Sequence, residues 1–599
     1  MPPAFTPPPT FTTRPTLQGT FGMAASTHWI ATATAQSVLE RGGNAFDAAA
    51  AAGFVLHVVE PHLNGPGGDM PAIFVTADAP GDPVVLMGQG PAPAGATREH
   101  YRGLGLDLVP GAGALAAAVP GAVDAWLLLL RDHGTWDLAD VLAPAIGYAR
   151  DGHPVLPATC RTIAAVADLF REHWPTSAAL WLPGGRVPRP GELVRNEAYA
   201  RTLERLVGAG GAGDRESRIE AARAAWREGF VAEEASRFAA VPHRHSDGGT
   251  YAGVITPADF AAFTAGYEPA VTAEFRGHTV AKTGPWGQGP ALLQMLTLLD
   301  GLDDERLDPS TALGAHTVLE VLKLALADRD AYYGDDDDAR AALDVLLSPG
   351  YAAERRALIG ETASAELRPG VVPGREPFRP PLRETDDAQV AGVGEPTVGT
   401  GGEQRGDTCH VDVVDRWGNM VSATPSGGWL QSSPTVPGLG FCLGTRLQMT
   451  WLEDGAPSSL QPGRRPRTTL TPTLVLRDGH AVTALGSPGG DQQDQWQLLY
   501  LLRTIVGGYG PQEAIDAPAF HTRSMPDSFW PRTWDPARAV VEDRLGEDVI
   551  AELERRGHRV TRAGDWSLGR LSAVTRDPAT GLLGAAANPR GMQGYAAGR

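Results

Sequence analysis

The chain has 599 residues, 42% of them hydrophobic, with 73 glycines and 50 prolines, enough for a large core joined by many turns. A net charge of −19, with no basic stripe beyond Gly463-Arg464-Arg465-Pro466-Arg467, speaks against nucleic acid as a partner. No run of about 18 apolar residues offers a membrane span, and three scattered cysteines (Cys160, Cys409, Cys442) exclude a disulfide framework or cysteine-based zinc site.

The first residues, MPPAFTPPPTFTTRP, lack the basic and apolar regions of a secretory signal. Residues 1–18 therefore read as a Pro-rich disordered leader, and the protein as cytoplasmic. Residues 27–59 read as helical, with Asn44 capping the run AFDAAAAAGFVLHVVE, apolar nearly all round and so buried. A tight loop, Asn64-Gly65-Pro66-Gly67-Gly68-Asp69, leads into a strand at MPAIFV. Residues 112–350 are mostly helical in pattern, with an exposed helix or insertion near 208–227. The acidic run Asp335–Asp338 reads as a solvated turn rather than a metal site. Residues 360–407, rich in Pro, Gly, Glu and Thr, read as flexible.

Order returns at Thr408. His410–Asp415 and Met420–Thr424 alternate as strands around Arg416-Trp417-Gly418-Asn419. Two further hairpins are expected: 473–476 with 481–485, ending in Gly486-Ser487-Pro488-Gly489-Gly490, and 571–575 with 582–586. Hairpins favour antiparallel sheet.

A threonine at the head of a strand, behind loose chain, suits self-cleavage. Its hydroxyl can attack the carbonyl of Asp407, giving an ester that water opens. The freed Thr408 then carries nucleophile and base together, because an α-amino group titrates at about 7.7–8.0. Gly489-Gly490 can supply backbone donors to an oxyanion, though a Gly-Gly after a strand can also be a plain turn. Cys409 is the rival nucleophile, and His410 reads as a packed strand residue. No cofactor or metal is called for.

The chain resembles the γ-glutamyltransferase family of N-terminal nucleophile hydrolases. The likeness runs through Gly22-Met23-Ala24-Ala25-Ser26-Thr27-His28, Gly42-Gly43-Asn44-Ala45-Phe46-Asp47, Val59-Glu60-Pro61-His62, Ala327-Asp328-Arg329, Thr408-Cys409-His410, Thr471-Pro472-Thr473, Gly486–Gly490 and Asn588-Pro589-Arg590. It implies an α+β fold, a four-layer αββα sandwich in one compact domain, formed from two chains after self-cleavage. These would be a large chain, 19–407 after the leader, and a small chain, 408–599, paired as a heterodimer that could itself dimerise. By position, Thr408 resembles the nucleophile, Thr424 and Ser426 two supporting hydroxyls, and Gly489 and Gly490 the oxyanion hole. Thr468-Thr469 match a substrate-carboxylate pair.

Two departures bear on substrate. The family arginine for the γ-glutamyl carboxylate aligns with Gln89, and the acidic pair for its ammonium aligns with Thr450-Trp451, after Gln448-Met449. A neutral amide does not replace a carboxylate–arginine contact. The expected substrate is thus a small carboxylated or keto-amide molecule rather than glutathione. Gln89, Gln448, Trp451, Thr468 and Thr469 are the candidate contacts, and Arg98 or Arg446 the candidate replacement charges. The resemblance also leaves open a C–C bond hydrolase acting beside a keto group in actinobacterial 4-alkylproline biosynthesis, and an inactive metabolite-binding homologue.

Overall fold

Asp415 closes the hairpin expected after Thr408. Its Oδ1 accepts from the N–H groups of Trp417, Gly418 and Asn419, each at 3.0 Å, and joins the strands Val411–Asp415 and Met420–Ala423. The computed structural model describes residues 5–384 and 408–599. Asp407 and most of the expected pre-cleavage segment lie outside the described residues.

That hairpin is central in a seven-stranded sheet. The order is Tyr595–Gly598, Gly22–Ser26, Val411–Asp415, Met420–Ala423, Ala72–Thr76, Ala79–Met87 and Gly266–Pro269, every pair antiparallel. The second seven-stranded sheet holds both other expected hairpins. Its order is Leu17–Gly19, Leu583–Ala587, Ser572–Arg576, His480–Gly486, Thr473–Arg477, His278–Lys282 and Val271–Phe275, again antiparallel throughout.

Strand alternation decides what each sheet faces. Val411 and Val413 join a cluster with the helices Trp29–Glu40, Ala45–Val59 and Ala122–His133, while Val414 joins a cluster drawn from both sheets. In the second sheet, Leu474, Ala484 and Val574 turn to the first sheet. Val475, Leu485 and Ala573 turn to the helices Gly289–Asp300, Ala312–Tyr332 and Gln493–Leu501. The polar residues His410 and Asp412, on the same face as Val414, therefore lie between the sheets, both 0% exposed.

Helix Ala45–Val59 is buried along its whole length, as its composition implies. Asn44 Oδ1 accepts from the N–H of Phe46 and of Asp47, and Asp47 Oδ2 accepts from Asn44 N, completing a capping box. Gly53 lets the helix Ala122–His133 approach closely: a Cβ there would lie 2.4 Å from the Trp126 ring. Among the described residues no helix is long and apolar enough to cross a membrane.

Four expectations need correcting. From residue 5 the leader is tied down: Thr6 donates to Asp308, Thr13 to Asp516 and Arg14 to the carbonyls of Ala587 and Asn588. Residues 17–19 form an edge strand. The acidic run is a docking point: Asp335 accepts from Arg465 at 2.6 Å, and Asp336 pairs with Arg464 at 2.8 Å and caps the helix Asp337–Leu346. The helix Arg215–Arg227 is anchored by a buried Arg223–Asp124 pair, not merely exposed. Within 360–384, Gly360 O bonds His316, Ser364 N donates to Glu320 and Gly370 N to Asp328.

Candidate active site

Thr408 stands one turn of the pleat before Val411–Asp415 and forms an antiparallel bridge with Ser426. Its Oγ1 lies 3.2 Å from Ser426 Oγ, and both residues are 1% exposed. Ser426 is fixed by Asp69 through two backbone bonds: Asp69 N donates to Ser426 O at 2.8 Å and Ser426 N to Asp69 O at 2.9 Å. The loop before Asp69 must be glycine here, since a Cβ on Gly68 would lie 2.0 Å from Ser426 O.

Cys409 points the other way, as the alternation requires. Its Sγ donates to Glu60 Oε2 at 3.0 Å and accepts from Asn64 Nδ2 at 3.0 Å. Thr27 and Gln593 also donate to Glu60. Burial, reinforced by the Glu60 carboxylate, holds the Cys409 thiol well above its ordinary pKa. It is a neutral packed thiol, so the geometry favours Thr408 over its rival.

Thr424 belongs to a line of polar groups between the sheets. Its Oγ1 is 2.9 Å from His410 Nδ1, His410 Nε2 is 2.8 Å from Asp412 Oδ1, and Ser572 Oγ donates to Asp412 Oδ2 at 2.8 Å. With Nε2–H given to the carboxylate, Nδ1 accepts and the Thr424 hydroxyl donates. Gly486 makes room for the imidazole; a Cβ there would lie 2.1 Å from it.

Gly489 and Gly490 follow the strand His480–Gly486 with φ of 132° and 52°. A Cβ on Gly489 would also lie 2.4 Å from the Trp496 ring. Neither N–H donates to a protein acceptor among the described residues, although both glycines are buried. A buried unpaired N–H is a donor awaiting a partner. Gly490 O accepts from Gln288 Nε2 at 3.1 Å, and Gln288 Oε1 accepts from Arg329 Nη1 at 2.9 Å, which braces the loop.

The five candidate substrate contacts divide. Gln448 is fully engaged: Nε2 donates to Gly111 O and Thr445 Oγ1, and Oε1 accepts from Trp530 N. Trp451 is buried beneath Arg532. Thr468 N donates to Trp286 O, and its Oγ1 accepts from Leu470 N. Gln89 and Thr469 differ: Gln89 Nε2 donates to Gly90 O at 3.3 Å, but Gln89 Oε1 and Thr469 Oγ1 are buried with no hydrogen-bond partner among the described residues.

Of the two candidate replacement charges, Arg98 is a surface residue paired with Asp454. Arg446 is buried, and grips Asp69 with two bonds of 2.7 and 2.8 Å. Sequence reasoning missed Asp69 as its partner, and missed a buried network of Arg329 and Arg467 with Asp330, Asp491 and Ser528. Arg467 was visible only as the end of a short basic run. Elsewhere, His316, Glu320 and His558 come together, but Glu320 is already taken by Lys323 at 2.7 Å and Arg368 at 3.0 Å, which disfavours a metal cation.

The family model described as gamma-glutamyltranspeptidase matches residues 31–598. The glutathione hydrolase-like YwrD proenzyme of Bacillus subtilis is 30% identical over 580 residues, 96% of this chain and 98% of that protein. The oxamate amidohydrolase proenzyme of Klebsiella pneumoniae is 31% identical over 596 residues, 97% and 98% of the two chains. A solved structure of LmbA2991HD superposes with a TM-score of 0.93 at 56% identity, covering 98% of this chain and 100% of the other. The cephalosporin acylase from Bacillus halodurans does so at 0.82 and 28%, covering 100% and 98%. With its paired sheets, its Thr408–Ser426 contact and these relatives, the chain belongs to the gamma-glutamyltranspeptidase family of hydrolases.

Proposed function

We propose that the protein cuts itself between Asp407 and Thr408 and then works as an N-terminal threonine amidohydrolase or acyltransferase. The observation that carries this is the Thr408–Ser426 contact at the head of the central hairpin, with Cys409 turned away into Glu60. After cleavage the α-amino group of Thr408 takes the hydroxyl proton as Oγ1 attacks the substrate carbonyl. The N–H groups of Gly489 and Gly490 receive the oxyanion, and Ser426 Oγ orients the attacking hydroxyl. The protonated amine gives its proton to the leaving group. Water, or an acceptor amine, then releases the acyl group by the same steps. The two products, packed as a four-layer αββα sandwich, stay together as one heterodimer.

The substrate is a small amide other than a γ-glutamyl peptide. Gln89 supplies no charge, and Thr450-Trp451 supply no carboxylate for an ammonium. The second reading, C–C hydrolysis beside a keto group, uses the same nucleophile and oxyanion site with a carbon leaving group. What favours it is the same missing ammonium clamp, since a keto acid has no amino group to bind.

A denaturing gel tests the proposal. Wild-type protein should give two bands, and Thr408→Ala one. A single band from wild-type protein after prolonged incubation would favour the inactive homologue.

A further inference from the structure

The helix Asp337–Leu346, with the residue that caps its end, lines a cavity of about 670 Å³ with Arg340, Leu343, Asp344 and Leu347. Their spacing of i, i+3, i+4 and i+7 puts all four on one helix face. Other walls are Pro285 and Trp286, from the loop between the strand His278–Lys282 and the helix Gly289–Asp300, and Val271 at the start of Val271–Phe275. The volume lies within the roughly 300–1,000 Å³ of small-molecule sites. Every lining residue falls between 268 and 347, so the cavity precedes Thr408 in the chain and none of the reacting groups lines it.

The apolar walls are held in place. Leu343 is 5% exposed and Trp286 1%. Trp286 Nε1 donates to Glu268 Oε2 at 2.7 Å, and the Arg465 guanidinium carbon lies 4.7 Å from the ring centre. Its carbonyl accepts from Thr468 N at 2.9 Å. The indole is thus a preformed platform for an apolar or aromatic side chain.

Three charged residues line the same space, and they are unequally engaged. Glu268 is taken by Trp286 and by Arg465, whose Nη1 lies 2.6 Å from Oε1. Arg340 gives one of its five N–H donors to Asp337 at 3.0 Å. Both members of that pair face water, where such contacts are weak. The Asp344 carboxylate has no hydrogen bond or ion pair among the described residues. Arg340 and Asp344 stand one helical turn apart, with Cβ atoms roughly 5–6 Å from each other. A plain cation drawn to Asp344 would meet Arg340 as well, and a plain anion drawn to Arg340 would meet Asp344. A molecule with an ammonium and a carboxylate on one carbon satisfies both.

We propose that this cavity binds an apolar or aromatic α-amino acid. Its side chain lies on Trp286 and Leu343, its carboxylate meets Arg340 and its ammonium meets Asp344. The site does not depend on the reading of Thr408 as nucleophile, and it touches the Thr468-Thr469 segment only through the backbone of Trp286.

Isothermal titration of the purified wild-type protein with L-phenylalanine and L-leucine reads the site. Beside phenylalanine run 3-phenylpropionate, which lacks the ammonium, and phenethylamine, which lacks the carboxylate; beside leucine run 4-methylpentanoate and isoamylamine. At least one amino acid should bind, tenfold or more tightly than either of its analogues. Arg340→Gln and Asp344→Asn, both at exposed positions, should each weaken that amino acid at least tenfold. Thr408→Ala and Arg98→Met should leave its affinity unchanged. No binding of either amino acid, an analogue that binds as tightly, wild-type affinity in either cavity variant, or loss of binding in Thr408→Ala would overturn the proposal.

Discussion

Ser426 Oγ stands 3.2 Å from Thr408 Oγ1, and Asp69 fixes its backbone from the other side with a reciprocal pair of N–H···O bonds. The hydroxyl is therefore held in place before any substrate arrives. Ser426→Ala should slow self-cleavage and turnover by roughly 10²-fold, the scale of one positioned proton-transfer partner. Ser426→Thr keeps the hydroxyl and should retain most of the rate. A time course of band appearance measures both.

Cys409 gives the opposite expectation. Its thiol is a donor to Glu60, so Cys409→Ala should cost about 1–3 kcal/mol in stability through an unmet buried acceptor. Self-cleavage should continue, and iodoacetamide should not label Cys409 in the folded protein. Rapid labelling with loss of processing would reassign the nucleophile.

At Gly489 the backbone angle and the Trp496 ring both exclude a side chain. Gly489→Ala should lower acylation by about 10²–10³-fold, as for a lost oxyanion donor. Burst kinetics with a chromogenic amide would resolve this from slower release.

The Asp69–Arg446 pair is buried on both sides. Arg446→Met leaves the Asp69 carboxylate unpaired and should destabilise by about 3–5 kcal/mol. Adding Asp69→Leu should restore much of that loss in a denaturant titration. If the double variant is as unstable as the sum of the singles, the pair is not the coupled unit described here.

Burial holds the imidazoles of His57, His62 and His521 down to about 3, against an ordinary value near 6.5. Below pH 6.5 the unfolded chain takes up protons that the native state refuses. Stability should therefore be full above pH 6.5 and fall progressively down to about pH 3, by up to roughly 1.4 kcal/mol per pH unit for each group. His521→Phe should flatten the slope between pH 6.5 and 5 in pH-dependent melting curves.

The hairpins were legible because alternation and turn chemistry are local: Asp415 caps its turn through residues two to four positions away. The buried Ala-rich helix and its Asn44 cap were legible for the same reason. What stayed hidden are contacts between distant segments. Arg446 finds Asp69 across 377 positions, and Arg465 finds Asp335 across 130. An acidic run read alone is a solvated turn; only folding brings the basic run against it. Gln448 and Trp451 aligned with substrate-binding positions, yet the loop bearing Trp530 and Arg532 engages them internally. The family resemblance pointed to the strand behind Thr408, but not to the buried arginines Arg446, Arg467 and Arg532.

The central claim is that Thr408 is the freed terminus and the acylated atom lies on it. N-terminal sequencing of the small chain, followed by peptide mass mapping after trapping with a slow acyl donor, tests this most directly. The account predicts a chain beginning Thr-Cys-His with the acyl mass on its first residue. A chain beginning at Cys409, or an adduct mapped to any other residue, would contradict it.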